Sequence, residues 1–288
     1  MKILLTTNGK RHSEEAIRFA CELFAVFNPT MTLLFVGQGS MGELALKVGV
    51  VIVEEYGLRA VMKTTMSNRV ASEIIKERQN GRYDLLVVGS RGFSSTIPGV
   101  SNYVLGDIPR EIVKVVKSSI LIVKEPKRVE KVLIAVDGSE GGERAVSLWG
   151  LIAGQNNKKI EKWENPKVIL LTVIPEDYHH FAGDHQFHTD EELLALGRIT
   201  NHYTRDLNRA KETLLQKYEI NAGRWLREGN IAEEILKESE KAYDLLILGR
   251  DGTKEYTFGA NLLEVVEQSK IPILIAKPGL VKNLMESV

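Results

Sequence analysis

Asp84-Leu-Leu-Val-Val-Gly-Ser-Arg-Gly92 recurs 160 residues later as Asp244-Leu-Leu-Ile-Leu-Gly-Arg-Asp-Gly252. Each copy is an apolar run of four residues that ends in Gly-x-x-Gly. A run with no polar alternation suits a strand buried on both faces, as in a parallel sheet covered by helices. The glycines then allow a sharp turn at the carboxyl end of the strand, the edge at which open α/β sheets bind ligands. Loops without side chains also let backbone N–H groups come close to phosphates.

Working outward, the whole chain doubles. Strand and helix alternate from Lys2 to Val123: an opening strand Lys2–Thr7, a helix from Ser13 to Phe24 with Ser13 as its cap, and a strand Thr32–Val36. A helix over 42–56, a strand Arg59–Met66, a helix Val70–Arg78, a helix Ile108–Val116 and a closing strand Ile120–Val123 follow. Lys131-Val-Leu-Ile-Ala-Val-Asp-Gly-Ser139 then restarts the order at an offset of 129, and Pro272–Lys277 closes it. The alternation predicts an α/β fold of two tandem Rossmann-like open sheets, each of about five mainly parallel strands with helices on both faces. The boundary falls at Glu125-Pro-Lys-Arg128, giving domains 1–126 and 127–288. Because the offset grows from 129 to 160, the second half carries insertions, near 154–167 and 175–205.

Composition narrows the function classes. Lysine plus arginine equals aspartate plus glutamate at 38 each, so no net field attracts nucleic acid or an anionic membrane. The single cysteine, Cys21, excludes an intrachain disulfide and a cysteine-only metal site. The opening strand at Lys2, with no long apolar run anywhere, makes a cytoplasmic protein the default expectation. No Gly-x-Ser-x-Gly, His-Glu-x-x-His or Gly-x4-Gly-Lys-(Ser/Thr) phrase is present, and no catalytic set is recognisable.

Both halves resemble the universal stress protein family. The resemblance rests on Val136-Asp-Gly-Ser139, the two Asp-Leu-Leu phrases, the Gly-x-x-Gly loops, Leu105-Gly106 and Phe258-Gly259, and the closing Ile-Leu-Ile strands. It implies a five-stranded sheet per domain and a stress-response binding or signalling module. It also implies pairing of the last strands, 120–123 against 272–276, which a tandem chain makes internally as a pseudo-dimer. A homodimer and a further protein partner stay open.

Some members of the family bind ATP through an aspartate after the first strand and a Gly-x2-Gly-x9-Gly-(Ser/Thr) loop, and neither half has the full set. In the first half Asn8 replaces the aspartate, thirteen residues separate Gly92 from Gly106, and Asp107 stands in the hydroxyl's place. Asp107 before Ile108 and Pro109 reads as a helix N-cap, and its carboxylate repels a phosphate. In the second half Asp137 is present, six residues separate Gly252 from Gly259, and Ala260 follows. ATP or AMP is therefore expected, weakly, in the second half, at Asp137, Gly138, Ser139, Val173, Gly249, Arg250, Gly252 and Gly259.

A third expectation concerns His179, His180, His185 and His188, four of the six histidines, within the stretch 177–190. Imidazole with carboxylate is a ligand set for zinc, although the spacing matches no established motif and a solvated loop is the competing reading. The long helix after Thr189, reaching Lys217, carries apolar residues at 193, 196, 199, 203, 207, 210 and 214 and reads as a core stripe.

Overall fold

The computed structural model describes residues 1–38, 41–90, 105–161, 163–176, 190–250 and 259–286. The first half runs β1 (Lys2–Thr7), α1 (Arg11–Phe24), β2 (Thr30–Val36), α2 (Met41–Glu55), β3 (Ala60–Thr65), α3 (Val70–Gly81), β4 (Leu85–Gly89), α4 (Asp107–Val115) and β5 (Ser119–Val123). The second runs β6 (Lys131–Ala135), α5 (Glu140–Lys159), β7 (Lys167–Pro175), α6 (Asp190–Tyr218), β8 (Ala222–Gly229), α7 (Ile231–Ser239), β9 (Leu245–Gly249), α8 (Gly259–Gln268), β10 (Ile273–Ala276) and α9 (Pro278–Glu286).

The strands form one ten-stranded sheet in the order β3-β2-β1-β4-β5-β10-β9-β6-β7-β8. Eight of its nine pairings are parallel, and the antiparallel one joins the halves: Ile273 faces Ile122, Leu274 faces Leu121 and Ile275 faces Ile120. All six of these residues are 0–1% exposed. Two apolar strand edges that would otherwise invite association thus cover each other. One face of the sheet holds a core with α1, α2, α5, α6 and α9, the other a core with α3, α4, α7 and α8.

The repeated stretch has a structural task at its amino end. Asp84 Oδ2 accepts from Lys2 N at 2.7 Å while Asp84 N donates to Lys2 O at 2.9 Å, and Asp244 Oδ2 accepts from both Glu130 N and Lys131 N at 2.9 Å. Each aspartate clamps its central strand to the first strand of its half, β4 to β1 and β9 to β6. The preceding tyrosines also repeat: Tyr83 donates to Glu77 and Tyr243 to Glu238, both at 2.8 Å, with Lys63 and Arg227 from the edge strands joining those carboxylates.

Further contacts stitch the halves together. Lys124, only 4% exposed, donates from Nζ to the carbonyls of Val266 and Ser269 at 2.6 Å, capping the carboxyl end of α8. Desolvation pushes this lysine down to about 8, with Glu267 opposing. The extra turns of α5 bring Asn156 Nδ2 to Leu23 O at 3.2 Å and Lys159 Nζ to Val26 O at 2.9 Å, closing the end of α1. The terminal helix α9, not anticipated from sequence, buries Leu280, Val281 and Leu284 and sends Asn283 Nδ2 to Asp84 Oδ1 at 2.6 Å.

Two expected caps fall elsewhere. α1 begins at Arg11, so Ser13 lies inside its first turn, where Oγ donates to Lys10 O at 2.8 Å. α4 begins at Asp107 itself, Gly106 holds the cap position, and no side chain bonds there. Before α1 the turn at Gly9, φ 72, already directs the chain into the helix, so a capping side chain is dispensable there.

Candidate functional site

Asp137, Gly138 and Ser139 form one tight turn at the carboxyl end of β6. Asp137 Oδ1 accepts from Ser139 N at 3.1 Å and from Ser139 Oγ at 2.6 Å, and Ser139 Oγ accepts from Gly142 N at 3.2 Å as the cap of α5. An aspartate bonded to the backbone two residues on is the geometry that short polar side chains favour in turns. Gly138 has φ 72, a left-handed conformation that glycine alone adopts without cost. The first half builds the same turn: Gly9 has φ 72, and Asn8 Oδ1 accepts from Lys10 N at 3.0 Å and from Ser13 Oγ at 3.1 Å.

The glycine that closes each central strand admits the helix following the first strand. A Cβ on Gly249 would lie 1.8 Å from the carbonyl oxygen of Gly141, and one on Gly89 would lie 3.2 Å from that of His12. Gly249 is therefore fixed by backbone packing. Arg250 also turns away from the sheet edge: its guanidinium donates to Val113 O at the end of α4, 2.9 Å, while its own carbonyl accepts from Arg144 at 3.4 Å. Val173, 8% exposed, sits near the end of β7 in the core shared with α7 and α8. Gly259 opens α8, whose first turn has no acidic residue, whereas α4 opens with Asp107.

Of the expected residues, the turn 137–139, Gly249 and Val173 thus end at one edge of the second-half sheet. Gly252 and the histidines 179, 180, 185 and 188 lie outside the described residues. Among the described residues no group of three or more His, Cys, Asp and Glu is placed to hold a metal ion, and no helix is long and apolar enough to cross a membrane.

In the first half, Thr6, Thr7, Asn8, Ile74, Ile108 and Pro109 line part of a cleft at the corresponding edge. It encloses about 40 Å³, space for roughly two or three waters. A second crevice, of about 120 Å³, runs between α5 and α6. It holds a residue the sequence reading passed over: Asp206, on the inserted helix, stands so close to the turn that a Cβ on Gly138 would meet its Oδ2 at 2.2 Å. The expected core stripe of α6 is present in Leu207, Ala210 and Leu214, and Asp206 lies just beside it. Aligning the ends of α2 and α6 on Tyr56 and Tyr218 would have singled it out, because Asp206 then replaces Leu44.

The universal stress protein family model matches residues 1–124 and again 128–277. The chain belongs to the universal stress protein family. A curated relative, a universal stress protein from Methanocaldococcus jannaschii, is 26% identical over 148 residues, covering 44% of this chain and 84% of that one. A functionally unknown protein from Pseudomonas aeruginosa PAO1 shares the fold at TM-score 0.68 and 16% identity, covering 99% of this chain and 95% of that chain. A universal stress protein from Archaeoglobus fulgidus DSM 4304 matches at TM-score 0.64 and 19% identity, with 96% of each chain covered. Both alignments run across the two halves of this universal stress protein.

Proposed function

We propose that this universal stress protein is a stress-response binding module, divided at residues 126 and 127, that holds ATP or AMP weakly and only in its second half. The observation that carries the reading is the contrast between the two helix starts at the ligand edge: α4 begins with Asp107, while the first turn of α8 is free of acidic residues. Unpaired N–H groups make a helix start positive, and a carboxylate there takes the place of a phosphate and repels it. Beside α8, the Asp137 turn supplies an ionised acceptor suited to ribose or adenine donors, where the first half offers the neutral amide of Asn8. The site is weak because the Arg250 guanidinium is committed to Val113 O, which keeps it from the nucleotide.

Titration of the full chain with fluorescently labelled ATP tests this. Asp137→Asn is expected to weaken binding about tenfold, roughly 1.4 kcal/mol, and Asp107→Ser to add a second site in the first half. Wild-type affinity retained in Asp137→Asn would overturn the assignment to the second half.

A further inference from the structure

The helices α2 and α6 end alike. Tyr56 is followed by Gly57 at φ 71 and buried Leu58, and Tyr218 by Glu219 at φ 58 and buried Ile220. This register sets Asp206 on Leu44, Ala210 on Val48, Thr213 on Val51 and Lys217 on Glu55, while the offset of 129 sets Ser147 on Arg18. In the first half Arg18 and Glu55 pair across the α1–α2 groove and strap it shut. In the second half the same two places hold Ser147 and Lys217, which form no such ion pair, and the 120 Å³ crevice opens there. Where α2 carries Leu44, 68% exposed, α6 carries a carboxylate whose side chain is 12% exposed.

We propose that the α5–α6 crevice binds a small primary amine, an ammonium group on a short aliphatic chain, with Asp206 as its counter-ion. Desolvating a carboxylate is costly unless a cation or several donors attend it. The cations beside Asp206 do this poorly. His202 Nε2 stands 3.1 Å from Oδ2 without forming a hydrogen bond, Arg205 Nε is 3.7 Å from Oδ1, and their side chains are 55% and 72% exposed. Of the two cations that line the crevice, Arg209 and Lys217, Arg209 is already held by Glu143 at 3.2 Å and so is not available to an anionic ligand. Val136, Val146 and Ala210 supply an apolar floor for methylene groups. The volume is below that of an engineered cavity of 150 Å³ that takes up benzene, so the ligand has at most roughly six heavy atoms. The crevice adjoins the proposed nucleotide edge at Gly138, but α5 and α6 cover one face of the sheet and α8, where the phosphates are placed, the other.

Calorimetric titration of the full chain with 1,4-diaminobutane is the test. Saturable binding at one site is expected, weakened at least tenfold by Asp206→Asn and abolished by Ser147→Arg with Lys217→Glu, which rebuilds the first-half strap. Absence of saturable heat in the wild type, or wild-type affinity in either variant, would overturn the proposal.

Discussion

The turn Asn8-Gly9-Lys10 and the turn Asp137-Gly138-Ser139 have the same backbone, yet different things rest on them. Over Gly9 lies the methyl group of Ala45, 3.0 Å from where a Cβ would stand; over Gly138 lies the carboxylate of Asp206. The comparison teaches that the repeat conserves the path of the chain, through a left-handed glycine and a side-chain acceptor two residues upstream of its donor. The surroundings of that path are free to change. Insertion did most of the changing, because α6 has 29 residues against 15 in α2, and α5 has 20 against 14 in α1.

The seam between the halves allows the strongest test of their dependence on one another. Leu274, fully buried between β5 and β9, is expected to cost about 2–5 kcal/mol on Leu274→Ala. Urea denaturation should show both halves losing stability in one transition. Two separate transitions with only one displaced would mean that the halves fold independently.

Smaller effects separate equivalent positions. Gly249→Ala drives a methyl group into the Gly141 carbonyl, an overpacking expected to cost about 1–3 kcal/mol or more, whereas Gly89→Ala meets the His12 carbonyl oxygen at 3.2 Å, a tight contact that should cost less. Equal losses in thermal unfolding would contradict the tighter packing of α5 on β9. At the turns, Gly138→Ala and Gly9→Ala share the strain of a positive φ, of order 1 kcal/mol. Gly9→Ala adds a 3.0 Å contact with the Ala45 methyl group and Gly138→Ala a 2.2 Å clash with the Asp206 carboxylate, so Gly138→Ala is expected to recover part of its loss when combined with Asp206→Ala. No recovery would remove Asp206 from the turn.

Lys124 gives a pH signature for the seam. Its ammonium is depressed to about 8 by burial, below the ordinary value near 10.4. Between these values the unfolded chain binds more protons, so stability rises with pH from about 8 to about 10 and falls as pH drops through that window. The rise is expected to be at most roughly 2–3 kcal/mol and absent in Lys124→Met. A rise of the same size in Lys124→Met would assign it to other groups.

Much of this was legible in the sequence because it rests on local pattern. The apolar runs at 85–88 and 245–248 can be buried only in a doubly covered sheet, and the two Ile-Leu-Ile strands had to find each other. The parts that were not legible depend on long-range contacts. Ser13 and Asp107 look like caps, but the helices begin at Arg11 and at Asp107 itself, one residue after Lys10 and Gly106. Arg250 looks like part of a phosphate loop, and only the paired halves bring Val113 within its reach. Asp206 stands beside a core stripe, and nothing nearby in sequence says that it meets a turn sixty-eight positions earlier.

Hydrogen–deuterium exchange of the full chain with and without saturating ATP tests most directly whether one half of the repeated chain holds the nucleotide edge and the other does not. Protection on ATP addition is expected at the amides of 137–142 and 259–263, with none at 8–14 and 106–110. Protection at 8–14 or 106–110, alone or together with the second-half amides, would contradict the assignment to the second half.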